Sequence, residues 1–171
     1  MNLAEHIRDI PDFPKEGIIF KDITTLVGHA EAFKASLDQL QERFADTGAT
    51  AVVALEARGY IFGAPLADRM GLRFVPVRKP GKLPADTIQQ DYDLEYGSNT
   101  LEIHKDALKP GEKVLIVDDL IATGGSAGAT IALVEKLGAE VVGFGAIIEL
   151  SFLDGRSKLG DIPVESLLIF D

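Results

Sequence analysis

An α/β fold, with a mostly parallel sheet flanked by helices, is predicted by three observations. Short continuous apolar runs recur at 51–55, 114–117 and 141–148, and such runs read as strands buried on both faces. Stretches with apolar residues three and four apart separate them, which is helical spacing. Strands that alternate with helices pack as a parallel sheet covered on both sides. The 171 residues suit a single domain with one core.

The elements follow in order. Leu3, Ile7 and Ile10 have helical spacing, and Pro11 and Pro14 stop that helix. Residues 18–20 form a short extended run. Ala30, Phe33, Leu37, Leu40 and Phe44 predict an amphipathic helix over 29–46, ended by Gly48. After the strand at 51–55 comes a helix over about 60–70, with Gly71 at its end. Residues 74–77 are the next strand. Residues 79–99 have no clean period and hold Pro80, Gly81, Pro84 and Gly97, so an irregular stretch is expected. Residues 100–104 alternate as a strand does. Pro110 and Gly111 make a turn before the strand at 114–117. A helix over 126–137 follows, capped by Gly138, and strands at 141–148 and 167–170 complete the chain. Ligands of such sheets bind beyond the carboxyl ends of the strands. The loops after Leu55, Val77 and Val117 should therefore share one side.

Composition narrows the functions. The absence of cysteine excludes disulfides, thiolate metal sites and cysteine nucleophiles, and fits a cytoplasmic protein. No apolar window is long enough for a membrane helix. The net charge is −10 and the pI about 4.7, which argues against nucleic acid as a partner. Residues 69–85 nevertheless hold Arg69, Arg73, Arg78, Lys79 and Lys82 with no acid. A basic cluster on an acidic chain suits a small anionic ligand; a solvated charged loop is the other reading. His6, His29 and His104 are scattered and adjoin no motif, so a protein-bound zinc site is not expected.

The chemistry concentrates after the strand Val114-Leu115-Ile116-Val117. Asp118 and Asp119 come next, then Leu120 and Ile121, then Ala122-Thr123-Gly124-Gly125-Ser126. Two acids at a strand end can accept hydrogen bonds from vicinal hydroxyls. The glycines let the backbone turn tightly and approach a ligand closely. Thr123 and Ser126 add hydroxyls, and a starting helix turns its free N–H groups toward an anion. Diol and phosphate in one molecule means a phosphorylated ribose. The plainer alternative is a tight turn with Ser126 as the N-cap. No Walker-type or dinucleotide-binding glycine pattern is present. After the strand at 51–55, Glu56-Ala57-Arg58-Gly59 offers backbone N–H groups and a guanidinium for a second phosphate, or else a structural Glu–Arg pair. Arg78, Lys79 and Lys82 can neutralise a leaving diphosphate. Mg²⁺, held mainly by that diphosphate and by no dedicated protein ligands, suits the pattern.

The 114–126 segment resembles the phosphoribosyl diphosphate motif of the type I phosphoribosyltransferases. The likeness extends to 56–59, to 77–84, to Asp93-Leu94-Glu95-Tyr96-Gly97 and to the 11–24 segment, and so covers nearly the whole chain. It is strongest toward the family members that use adenine. The resemblance implies purine salvage: pentosyl transfer from 5-phosphoribosyl 1-diphosphate to adenine, giving AMP and diphosphate. It implies that Ala57 and Arg58 hold the diphosphate beside an unusual cis bond near Glu56–Ala57. It makes residues 1–30 a small base-binding hood, with Phe20 stacked on the purine and the backbone of Ile19 and Lys21 reading its edge. Core packing is the residue-level alternative for Phe20. It makes 83–99 a mobile active-site loop in which Glu95 assists proton transfer, where a solvated charge is the plainer reading. Asp118 and Asp119 complete the catalytic set, and a homodimer is the implied assembly.

Overall fold

The start of the chain is extended rather than α-helical. In a computed structural model, which describes residues 1–94 and 96–171, only a 3₁₀ turn forms over Leu3–His6, followed by strand β1 (Arg8–Pro11). The helix expected over the first ten residues is therefore corrected. β1 pairs antiparallel with β2 (Ile19–Asp22), Arg8 opposite Asp22 and Ile10 opposite Phe20. The Arg8 guanidinium donates to Asp22 Oδ2 from Nη2 at 2.5 Å, and Lys21 Nζ meets Asp9 at 2.7 Å. Pairing across the hairpin outweighs the three-residue spacing of Leu3, Ile7 and Ile10. A short helix α1 (Thr24–Val27) follows, then α2 (Ala30–Phe44). The His6 and His29 rings, far apart in sequence, meet with centroids 4.5 Å apart.

The chain divides into two compact units, Met1–Gln39 and Leu40–Asp171. The second holds the main sheet. β3 (Ala51–Leu55) is followed by α3 (Arg58–Met70), and β4 (Arg73–Val77) comes next. Gly71 closes α3 in the left-handed conformation, φ 67°. β5 (Thr87–Asp93) and β6 (Ser98–His104) form an antiparallel hairpin with Tyr92 opposite Asn99. A third of the stretch expected to be irregular is thus the strand β5. Its inward positions include only two apolar residues, Ile88 and Tyr92, too few for the period to announce itself. β7 (Lys113–Ile121), α4 (Gly125–Lys136), β8 (Glu140–Leu150) and β9 (Val164–Phe170) complete the unit.

The five-stranded sheet has the order β4-β3-β7-β8-β9, every pair parallel. One face packs on α4 and the β5–β6 hairpin, through Val53, Ile116, Phe144, Leu101, Ile103 and Leu133 among others. On the other face α3 comes close enough that a Cβ at Gly63 would stand 2.6 Å from that of Ala54. Leu40 and Phe44, at the end of α2, lie against Gly143 and Gly145 of β8. No helix among the described residues is long and apolar enough to cross a membrane.

Candidate active site

The sheet edge positions the site. β3 leads through α3 to β4 on one side, while β7 leads through α4 to β8 on the other. The crevice between β3 and β7 is therefore a topological switch point, where ligands of open α/β sheets bind. β7 also outruns its neighbour. Its last paired residue on the β3 side is Val117, opposite Ala54. On the β8 side pairing continues through Asp118, Leu120 and Ile121. The strand expected to stop at Val117 thus carries both acids inside it, although aspartate is depleted in strands. β8 supplies the continuing partner that holds them extended.

A cavity of about 270 Å³ opens at this edge. Its walls include Glu56 and Arg58 after β3, Lys79 after β4, Tyr92 of the hairpin, Asp118 and Asp119, and the loop residues Ala122, Thr123, Gly124 and Ser126. Gly125 stands behind that loop against Tyr92, where a Cβ would come 2.9 Å from the ring. Ala57 is the N-cap of α3 and follows a cis peptide bond from Glu56. Arg58 Nε meets Asp119 Oδ2 at 2.8 Å. Gly59 permits the contact between α3 and the acids, since a Cβ there would stand 2.9 Å from Asp118 Oδ1.

Both acids are buried, Asp118 at 8 % and Asp119 at 5 % exposure. Asp118 Oδ1 accepts the Asp119 N–H at 2.8 Å. Burial first, and then the neighbouring Asp119 carboxylate, pushes the Asp118 carboxyl well above the usual carboxylate range. The site therefore presents Asp118 as a carboxyl whose ionisation an arriving positive charge would favour.

α4 begins without help from a side chain. Its N-cap is Gly124, at φ 82°, which has no side chain to cap the first N–H groups. Ser126 lies one residue inside the helix and lines the cavity, so it is not the N-cap. These N–H groups are the anion-directed end of the helix. The glycine requirement at 124 is internal as well. A Cβ there would overlap the Gly155 carbonyl oxygen, so this glycine serves main-chain packing beyond any approach to a ligand.

The basic residues after β4 divide. Glu56 Oε1 accepts the Lys79 N–H at 2.7 Å and Arg78 Nε at 3.2 Å. Arg78 also exchanges both backbone hydrogen bonds with Glu102. Tyr60 donates its hydroxyl to the Val77 carbonyl at 2.8 Å, and burial pushes that phenol up to about 12. The turn is thus tied down, with Lys79 lining the cavity; Arg78 and Lys82 are not among its described lining residues. Glu95 lies outside the described residues. Ile19, Phe20 and Lys21 form β2 in the first unit, where the half-buried Phe20 ring meets Phe13 edge-on with centroids 5.1 Å apart. Sequence reasoning did not find Tyr60 or Tyr92. Each acts through the position of its ring or hydroxyl, which no local motif marks.

Comparison with known proteins agrees with this geometry. Residues 24–162 match the family described as phosphoribosyl transferase domain. The chain is 60 % identical to an adenine phosphoribosyltransferase from Solidesulfovibrio magneticus, over 98 % of each chain. It matches the crystal structure of the adenine phosphoribosyltransferase from Thermoanaerobacter pseudethanolicus with a TM-score of 0.96 and 52 % identity, over 98 % of both chains. The Saccharomyces cerevisiae enzyme, complexed with an imino-altritol bisphosphate and adenine, matches with a TM-score of 0.92 and 44 % identity, over 97 % of this chain and 96 % of that one. A parallel sheet with its acid pair and glycine loop at the switch point, together with full-length identity of this order, shows that the chain belongs to the phosphoribosyltransferase family, within the adenine phosphoribosyltransferases.

Proposed function

We propose that the chain acts in purine salvage, transferring the 5-phosphoribosyl group of 5-phosphoribosyl 1-diphosphate to N9 of adenine, with AMP and diphosphate as products. The observation that carries this reading is the cavity between β3 and β7, lined together by two buried carboxyls, a glycine loop and helix start, Arg58 and Lys79. The yeast relative, complexed with adenine and a bisphosphorylated sugar mimic, supports the substrate pair.

In this reading Thr123, Ser126 and the backbone of Ala122, Gly124 and Gly125 anchor the 5-phosphate. Binding energy far from the reacting carbon then fixes that carbon's position. Asp118 and Asp119 accept the ribose hydroxyls. As the C1–O bond breaks, positive charge grows on the ribose ring, and the carboxyl pair opposes it. Ala57, Arg58 and Lys79 take the diphosphate, with Arg78 and Lys82 adding positive charge after β4, and preorganised donors of this kind stabilise developing negative charge without rearrangement. Phe20 stacks on adenine, and the backbone of Ile19 and Lys21 reads its edge. Glu95, in the loop over 83–99, assists the proton at the base.

Mg²⁺ is the proposed cofactor, bound with the diphosphate, whose leaving it eases by neutralising charge. No three metal-ligating groups converge among the described residues. The ion would be held through the substrate's diphosphate and water, with no direct protein ligand. Residues 1–30 serve as the base-binding hood, and the working form is a cytoplasmic homodimer.

Turnover of adenine, hypoxanthine, guanine and xanthine with phosphoribosyl diphosphate and Mg²⁺ tests the proposal. AMP formation strongly preferred over the other nucleotides is expected. Turnover of another purine at a higher kcat/KM would refute the adenine assignment.

A further inference from the structure

Behind the glycine loop stands a layer of residues that no sequence motif announces. Gly155 opens a 3₁₀ turn, Gly155–Leu159, and packs main chain against main chain on the loop. A Cβ there would stand 2.9 Å from Gly124 N and 2.9 Å from the Ile121 side chain, and would overlap the Ala122 carbonyl oxygen. The next residue, Arg156, donates from Nε to Glu149 Oε1 at 2.9 Å and from Nη2 to Oε2 at 2.5 Å. Its Nη1 reaches the Val164 carbonyl at 2.8 Å. Ser166 donates to Glu149 Oε2 at 2.6 Å. Glu149 is 5 % exposed and sits on β8 directly opposite Ile121, the residue that leads into the loop. Each partner holds the other's charge, Glu149 lowered chiefly by Arg156 and Arg156 raised chiefly by Glu149.

The fork therefore fixes Gly155 relative to β8, and Gly155 fixes the back of the loop. We propose that Arg156, through its two-pronged pair with Glu149, is a positioning residue for the 5-phosphate loop. It sets the height of the Ala122–Gly124 main chain without touching substrate. This inference rests on the reading of residues 122–126 as the 5-phosphate site.

The test compares Arg156→Met with Arg73→Met. Arg73 also pairs with a carboxylate, its Nη2 alone reaching both Glu112 oxygens at 2.6 and 2.7 Å, but does so at the start of β4, at the other end of the sheet. Each variant is measured for melting temperature, for KM toward both substrates, and for ribose 5-phosphate affinity by calorimetry. Arg156→Met should weaken ribose 5-phosphate and raise the phosphoribosyl diphosphate KM by about tenfold, with the adenine KM within about twofold. Arg73→Met should lower the melting temperature and leave all three constants in place. Should Arg156→Met fail to fold, Arg156→Lys and Ser166→Ala, which each remove part of the network, should show the same split at about two- to fourfold. Equal shifts in both KM values, or unchanged ribose 5-phosphate affinity in a destabilised variant, would overturn the proposal. Ribose 5-phosphate binding needs neither adenine nor turnover. A wild-type protein that binds it yet transfers nothing to adenine would sink the proposed reaction while leaving this test intact.

Discussion

Replacing Gly124 with alanine separates two reasons for a glycine, because Gly71 provides a matched control. Both residues have positive φ, 82° at Gly124 and 67° at Gly71. Nothing lies within 4 Å of a Cβ built at Gly71, whereas at Gly124 the Gly155 carbonyl group is already in that space. Gly71→Ala should therefore cost only the conformational penalty, about 1 kcal/mol. Gly124→Ala carries the same penalty plus overpacking of about 1–3 kcal/mol. For a chain of this length about 1 kcal/mol corresponds to roughly 2–4 °C in Tm. Gly71→Ala should then melt roughly 2–4 °C lower than wild type and Gly124→Ala roughly 4–16 °C lower. Calorimetric melting gives the comparison, and ribose 5-phosphate titration shows whether the binding loop moved with the fold. Equal melting temperatures for the two variants would refute the main-chain contact between residues 124 and 155. A bulkier change such as Gly124→Val cannot spare the fold while blocking the ligand, because the first carbon it adds already meets Gly155.

The remaining predictions concern charge. Burial raises the folded-state pKa of Asp118 above its unfolded value. The stability linked to its proton is thus complete below the unfolded pKa and is lost as pH rises through the folded one. Asp118→Asn should flatten the decline of melting temperature toward alkaline pH while turnover falls by about 10²-fold or more; superimposable melting profiles would exclude the buried acid as their cause. Asp22 has the opposite sign. The Thr24 hydroxyl and N–H, followed by Arg8, lower its pKa from 3.8 to about 2. Its contribution is present above the unfolded value and disappears as pH falls through the folded one. Asp22→Asn should lose less stability than wild type between pH 3.8 and about 2, as followed by acid titration of the far-ultraviolet circular dichroism. Finally, chelating Mg²⁺ should abolish turnover, restored by the added ion, while ribose 5-phosphate still binds. Undiminished turnover in chelator would remove the metal from the reaction.

Much of the main sheet was legible because its strands are continuous apolar runs, which few other structures accommodate. The span of β3 agrees with its apolar run residue for residue. β7 ran longer than expected because Asp118 and Asp119 read as a strand's end, and only the neighbouring β8 explains why they remain extended. β1 and β5 were missed for a related reason. Each is stabilised by its hairpin partner, and its own residues show little alternation. The acid pair and glycine loop were legible as chemistry, since they lie together in sequence. Their support was not. Glu149, Gly155, Arg156 and Ser166 come from two strands and a turn, and they converge only after the sheet has formed. Phe20 marks the other limit, because reading a base with peptide groups leaves no side-chain trace.

The meeting of Gly124 and Gly155 also predicts how this region tolerates variation. Main chain faces main chain, so neither residue can be enlarged to suit a change in the other. In a saturation library the two positions should each accept glycine alone, and no double variant should restore a lost single. Ala122, Thr123 and Ser126 line the cavity without such a clash, so their substitution can retune affinity without breaking the chain's path. Two residues thirty-one apart in the sequence would then form a silent pair. They would be invariant together and show no covariation, invisible to any method that infers contacts from compensating change.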